Sequence, residues 1–419
     1  MQPTERDASP RALQDWLIEA GLGNLELRPL LDGLCARLIA AGVPIARAYL
    51  STATLHPLLW ATGITWERGR LAGEDTRIGY GYEREAAWRE SPFRHMLEER
   101  EPRLRRRLAG PEARLDFPVL AEFRDAGLTD WLAHFYTFGW ALRHQEPGQL
   151  GVIFSWATDR PEGWSEPDLA ALDATSKMLA LTVKAATALG TTRALLATYL
   201  GQDPAERVIT GQVQRGSVTR ASAFILYADL RGFTDFADAT PPEEVTRRLN
   251  AYFDCLKEPI AHAGGEILKF MGDGVLALFL TGEGVGSAAT GEARGRDRDR
   301  GAIAAGALDA AEEILARAAN LDEAEAAAGH PPLGLDIALH EGEVTYGNVG
   351  TEDRLDFTVI GPAVNEASRL EGLCKELGLP LLVSDSFASA APEVRARLRS
   401  VGRHRLRGVR ESREVFTVR

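Results

Sequence analysis

Cysteine is scarce: Cys35, Cys255 and Cys374 lie far apart in 419 residues, with no CxxC pair and no histidine at ligand spacing. That argues against a disulfide framework and against a zinc site, and makes a reducing compartment the expectation. No apolar run approaches the roughly 18 residues of a membrane span. The longest, from Met178 to Leu189, is short and contains Lys184. The first residues, MQPTERDASPR, lack the apolar core of a signal peptide, so a cytoplasmic protein is expected. An excess of positive charge is also missing. Forty-eight basic side chains stand against 60 acidic ones, leaving −12, which argues against nucleic acid as the main partner. Nor is there a GxxxxGK[ST] string, so a nucleotide would not be held by a P-loop.

What the chain does have is globular composition, 45% hydrophobic and 26% charged, at a length that suggests two or three domains. A polar lead precedes an amphipathic helix with Leu13, Trp16, Leu17 and Ile18, which places a helical lead over residues 1–26. Residues 27–42 set Leu30, Leu31, Leu34, Leu38 and Ile39 at helical spacing. Extended-looking segments, an Arg-rich stretch at Arg103 to Arg107 and a strand near 149–157 complete an α+β domain. Tryptophans concentrate between Trp60 and Trp164; core packing is the ordinary reading and a ligand pocket the other.

Ser165, Glu166, Pro167 and Asp168 form a strong helix start. The helix is expected to weaken at Gly190 and to be followed by a second stretch with Leu195, Leu196, Tyr199 and Leu200, so that 165–218 reads as helix and linker. Leu169, Leu172, Leu179, Val183 and Ala186, interrupted by Ser176, fit either packing on the helix's own domain or a parallel dimer seam. Residues 281–300, Gly-rich and charged, read as a mobile excursion.

In the second half, Asp229 ends the apolar strand ASAFILYAD, and Asp273 sits in the tight turn between EILKF and VLALF. Either carboxylate alone is ordinarily structural. Together they offer two hard oxygen ligands for divalent metal ions that work on phosphate. Gly232 keeps the backbone after Asp229 open, so N–H groups there could meet phosphate oxygens.

Four strings, FILYADLRGFTDFAD, AGGEILKFMGDGVLALF, LGLDIALHEGEVTYGNVG and DFTVIGPAVNEASRLEGL, closely resemble the catalytic domain of class III nucleotidyl cyclases, in order and over nearly all of 219–419. The resemblance implies an α/β sandwich with a ferredoxin-like βαββαβ core, active as a head-to-tail homodimer. It assigns Asp229, Leu230 and Asp273 to two Mg²⁺ or Mn²⁺ ions, and places Leu230, Gly232, Phe233 and Thr234 against the substrate. Lys269 and Thr358 fall on the base-selecting positions. Guanylyl cyclases usually carry Glu and Cys or a similar pair there, so ATP is the expected substrate. Asn365 and Arg369 match the residues that orient the ribose and stabilise charge on the α-phosphate. They lie four apart on one helix face; without the motif they would read as a surface polar stripe. The Lys/Thr pair also resembles a subgroup often linked to bicarbonate stimulation. Glu343 stands where some relatives place a phosphate-binding Arg, which leaves Arg407 or Arg410 as candidates for the triphosphate.

Residues 27–190 more loosely resemble a GAF-type sensory domain, chiefly in GVIFSWATDRPEGWSEPDLAALDATSKMLALTV. That resemblance implies an unknown small-molecule effector, with simple dimerisation as the other role. The whole then reads as a regulated adenylate cyclase making cyclic AMP and pyrophosphate. A guanylate cyclase and a catalytically silent binding module are the rivals.

Overall fold

The computed structural model describes residues 10–70, 75–139, 151–281, 299–406 and 411–419. The chain forms two compact units, Met1–Leu195 and Leu196–Arg419.

The first unit opens with helices α1 (Pro10–Leu22) and α2 (Leu27–Ala40). Strands β1 (Arg47–Ala53), β2 (Leu59–Glu67) and β3 (Asp75–Gly79) follow, then short helices α3 (Ala86–Arg89) and α4 (Pro92–Glu98). Next come β4 (Arg103–Arg107), α5 (Pro118–Asp125), β5 (Asp130–Thr137), β6 (Gly151–Thr158) and the long helix α6 (Glu166–Leu200). The strands make one sheet in the order β3-β2-β1-β6-β5-β4. Period-2 alternation splits β1 between its two faces. Leu50, Phe154 and Trp156 pack toward α1, α2 and α6 in one core. Arg47, Tyr49 and Ser51 line a cavity on the other face.

The Arg-rich stretch is strand β4. Arg105 and Arg107 both pair with Asp130, a carboxylate with no solvent exposure, and this pairing is what allows Asp130 to be buried. The helix expected to weaken at Gly190 instead runs unbroken from Glu166 to Leu200. One glycine costs a helix only about 1 kcal/mol, a small penalty within a helix of 35 residues. The heptad positions Leu169, Leu172, Leu179 and Val183 belong to the unit's own core, and Thr182 donates a hydrogen bond to the Leu17 carbonyl at 2.9 Å. Ile39, by contrast, is 36% exposed.

The second unit begins with the end of α6 and with α7 (Gln202–Ile209), followed by β7 (Val218–Leu230), α8 (Phe233–Ala239), α9 (Pro242–His262), β8 (Glu266–Met271) and β9 (Gly274–Leu280). Then come α10 (Arg300–Ala327), β10 (Leu335–Gly350), β11 (Leu355–Ile360), α11 (Pro362–Leu377), β12 (Leu381–Ser384), α12 (Asp385–Ala388), α13 (Pro392–Arg397), β13 (Leu398–His404) and β14 (Arg413–Val418). The excursion expected at 281–300 falls largely outside the described residues. The sheet order is β13-β14-β12-β10-β7-β9-β8, with β11 paired to the far end of β10. Strands β10, β7, β9 and β8 are thus the fourth, first, third and second strands of a βαββαβ unit. Helices α9 and α10 cover one face with Tyr252, Leu256, Ile303 and Ile314 against Phe224 and Leu226. Helix α11 lies on the other, with Ala363 and Ala367 against Ile225 and Leu276.

Phe224 has no exposure and meets the Phe387 ring edge-on at 5.1 Å. Phe224→Ala is expected to cost about 3–5 kcal/mol through lost burial and an unfilled cavity. Urea unfolding of the variant checks this; a loss below about 1 kcal/mol would contradict the packing.

Candidate active site

Strand β7 is apolar and largely buried from Ala223 to its end, where Asp229 emerges half-buried beside the turn that joins β8 to β9. Gly272 takes φ +70° in that turn, a conformation that suits glycine, and Asp273 follows it. The two carboxylates interact directly: burial, then the charge of Asp273 and a side-chain hydrogen bond to it, push Asp229 up to about 7. A Cβ added at Gly274 would lie 3.4 Å from Asp229 Oδ1 and 3.3 Å from the Met271 carbonyl, so the turn sits close against the strand end.

Across the ladder, Asp336 pairs in register with Asp229. Its charge is met by Arg231, whose Nε donates at 2.8 Å and whose second nitrogen also bonds the same oxygen. Among the described residues no lysine or arginine pairs with Asp229 or Asp273. Two facing carboxylates without a protein cation form a hard, anionic oxygen set that suits a divalent ion of the Mg²⁺ or Mn²⁺ kind.

A third acid joins them that sequence reasoning left unassigned. Glu371 on α11 is pushed up to about 7, by burial first and then by Asp229, Asp336 and Asp273. It stood in the quoted string NEASRLEGL, two residues past Arg369, but only the packing of α11 on β7 reveals which way it faces.

The sign of the pH effect follows. Asp229 titrates near 7 in the folded chain against 3.8 in the reference state. Between about pH 4 and pH 7 the folded, metal-free chain holds a proton that the unfolded chain has released, so its contribution to stability falls as pH rises. Asp229→Asn should therefore flatten the decline in Tm across this window in chelator, and should remove most of the Tm increase that Mn²⁺ gives above about pH 7.5. Calorimetric scans check it; an unchanged Mn²⁺ shift in the variant would contradict the assignment.

Lys269 on β8 forms an ion pair with Asp356 on β11. Asp356 and Thr358 alternate with the buried Phe357 and Val359, so both lie on the strand face opposite those core residues. Lys269, Asp356 and Thr358 thus belong to one neighbourhood, and Asp356 is a member that the sequence reading missed. Its one signal is the period of two from Thr358.

Asn365 and Arg369 lie one turn apart on α11, both exposed. Among the described residues neither has a hydrogen-bond or ion-pair partner, and none joins them to Asp229 or Asp273 of the same chain. After the acids, Gly232 has φ +68° and caps α8. The Leu230 side chain is 6% exposed and part of the core, which leaves its main chain for any ligand. Phe233 is half-buried against Phe236 at 6.3 Å, and Thr234 is exposed. Glu343 is exposed on β10. Arg407 and Arg410 lie outside the described residues.

Residues 217–419 match the family described as the adenylate and guanylate cyclase catalytic domain. An adenylate cyclase of Anabaena cylindrica is 34% identical over 174 residues, covering 42% of this chain and 32% of its own length. Adenylate cyclase 1 of Rhizobium meliloti is 28% identical over 199 residues, covering 48% of this chain and 28% of its own length. The chain spans about a third of the length of these curated relatives. Among solved structures, the adenylyl cyclase CyaB from P. aeruginosa is 24% identical, with 48% of this chain and 95% of that chain covered and a TM-score of 0.41.

Proposed function

We propose that this chain, whose residues 217–419 match the family of adenylate and guanylate cyclase catalytic domains, converts ATP to 3′,5′-cyclic AMP and pyrophosphate at sites shared between two copies of itself. The observation that carries the reading is the Asp229–Asp273 pair, two facing carboxylates that no described lysine or arginine neutralises. Two Mg²⁺ or Mn²⁺ ions held there, with the Leu230 main chain nearby, would supply Lewis acidity at the α-phosphoryl oxygens and the triphosphate.

The chain's own residues do the rest. Lys269 offers ammonium donors to a ring nitrogen of adenine, and Thr358 can accept from the adenine amino group. Guanine presents N–H donors at the same edge, which a lysine cannot accept, so adenine is the better match. Gly232, Phe233 and Thr234 line the approach to the triphosphate, with Arg407 as the candidate counter-charge. The ribose 3′-oxygen attacks the α-phosphorus, its proton passes to water, and the bond to the oxygen bridging to the β-phosphorus breaks to release pyrophosphate. Arg369 of the partner subunit would meet the charge that grows on the α-phosphoryl oxygens, and Asn365 of the partner subunit would fix the ribose. With exposed side chains that meet no partner among the described residues, Asn365 and Arg369 are available for that crossing.

In this reading the first unit is a GAF-like sensory domain that shifts the geometry of the cyclase pair. Its six-stranded sheet with helices on both faces supports a domain that folds around its own core. The deciding experiment is incubation of the purified chain with ATP or GTP plus Mn²⁺, with products separated by chromatography. Cyclic AMP from ATP is expected. Cyclic GMP alone would overturn the adenine assignment, and no cyclic product from either would favour a silent module.

A further inference from the structure

The sheet of the first unit packs α1, α2 and α6 on one face; on the other, beside α4 and α5, it borders a cavity of about 460 Å³. Its floor is built from alternate residues of β1 and β6, with Arg47, Tyr49 and Ser51 on one strand and Ile153 and Ser155 on the other. Register places Ser155 directly opposite Tyr49, so Arg47 and Ser155 are diagonal neighbours on the same face. Trp60 and Trp88 form one wall, edge to face with centroids 4.9 Å apart. Phe123 of α5 forms another.

Arg47 is the notable group in this lining. Its side chain is 21% exposed and its guanidinium lies 4.8 Å over the Phe123 ring. The nearest carboxylate, Glu67, is 3.7 Å away, beyond hydrogen-bond reach. Among the described residues the guanidinium donates no hydrogen bond, although it carries five N–H groups. The hydroxyl of Ser155, a residue 2% exposed, likewise makes no side-chain hydrogen bond among them. A cation and a hydroxyl with unused donors inside an aromatic cavity are costly unless an acceptor fills the space. Glu90 and Glu122 line the cavity too, but both are exposed, and Glu67 only partly offsets Arg47 at 3.7 Å, which leaves Arg47 as the charged group set deepest in the lining.

We propose that this cavity binds a planar aromatic carboxylate, its ring between the Trp60–Trp88 wall and Phe123, and its carboxylate on Arg47 with Ser155 as a second donor. The volume falls in the range of small-molecule sites and admits one or two fused rings. One guanidinium and one hydroxyl amid aromatic rings match a single negative charge, whereas a phosphate dianion would leave much of its charge uncompensated. The flat faces of the aromatic residues favour a flat partner. The inference is independent of the reaction proposed for the second unit.

The test uses the full chain and two isosteric probes, 2-naphthoate and 2-naphthamide, titrated by calorimetry. Naphthoate should bind at one site per chain, about tenfold or more tighter than the amide. Arg47→Met should weaken naphthoate by about tenfold or more and leave the amide unchanged, which also shows that the cavity is still formed. Trp88→Ala should weaken both. Equal affinity of acid and amide for the unaltered chain, or no binding of naphthoate, would overturn the proposal without reference to any variant. So would an Arg47→Met chain that binds naphthoate as well as the original does.

Discussion

Asp273→Ala is expected to lower cyclic AMP formation by about a thousandfold or more while leaving the fold intact, because a lost metal ligand removes several kcal/mol of transition-state stabilisation. Asp273 lies in a turn, half-buried, and contributes no apolar surface to the core of the second unit. Removing it also relieves Asp229 of a like charge, so thermal stability in chelator should hold or rise. Loss of activity together with retained stability is the signature of a ligand. Loss of both would make Asp273 a structural turn residue, and retained activity would remove it from the site. Steady-state rates with Mn²⁺, beside a melting curve in chelator, separate these outcomes.

Arg369→Ala is the second large effect. The guanidinium is exposed, with no ion pair among the described residues, so its removal should leave Tm within about 1 °C, as for surface positions away from structural features. Activity should nonetheless fall about a hundred- to a thousandfold, the cost of losing one donor aimed at developing negative charge. The fall should appear in kcat with little change in KM, since the charge it meets exists only in the transition state. Arg369→Lys restores a charge but not the planar fork, and should recover only part of the rate. A loss confined to KM would instead assign Arg369 to ground-state binding of the triphosphate.

The parts of this site that a linear reading reaches are those set by local periodicity. Asp229 stands out because a buried strand ends on it and Asp273 because a glycine turn brings it beside that end; Asn365 and Arg369 stand out only through the resemblance, to which the helix adds that positions four apart share a face. The parts it misses depend on where distant segments meet. Asp356 reaches Lys269 only because β11 folds back along β10, and Glu371 faces the acids only because α11 packs on β7. Both contacts span about 90 residues or more of chain.

The first unit teaches a different lesson. The apolar spacing of α2 and α6 placed most of their buried residues correctly, because those helices face a sheet. The same pattern fitted a dimer seam equally well, since a stripe records that a face is covered and not by what. The tryptophans divided as well: Trp156 is core, Trp60 and Trp88 line the cavity, and Trp131, 1% exposed, does both. Composition cannot separate those roles, because both need large apolar rings and only the space left between elements decides.

The account stands on a site assembled from two copies of the chain, and mixing inactive variants tests that most directly. Asp273→Ala and Arg369→Ala, each inactive alone, are combined at equal concentration and assayed for cyclic AMP from ATP with Mn²⁺. A mixed pair has one site that lacks both groups and one that lacks neither. Activity should therefore return to about a quarter of that of the unaltered chain, since half the pairs are mixed and each carries one intact site of two. Activity that stays at the level of the separate variants, although subunit exchange is shown by mass, would contradict the shared site.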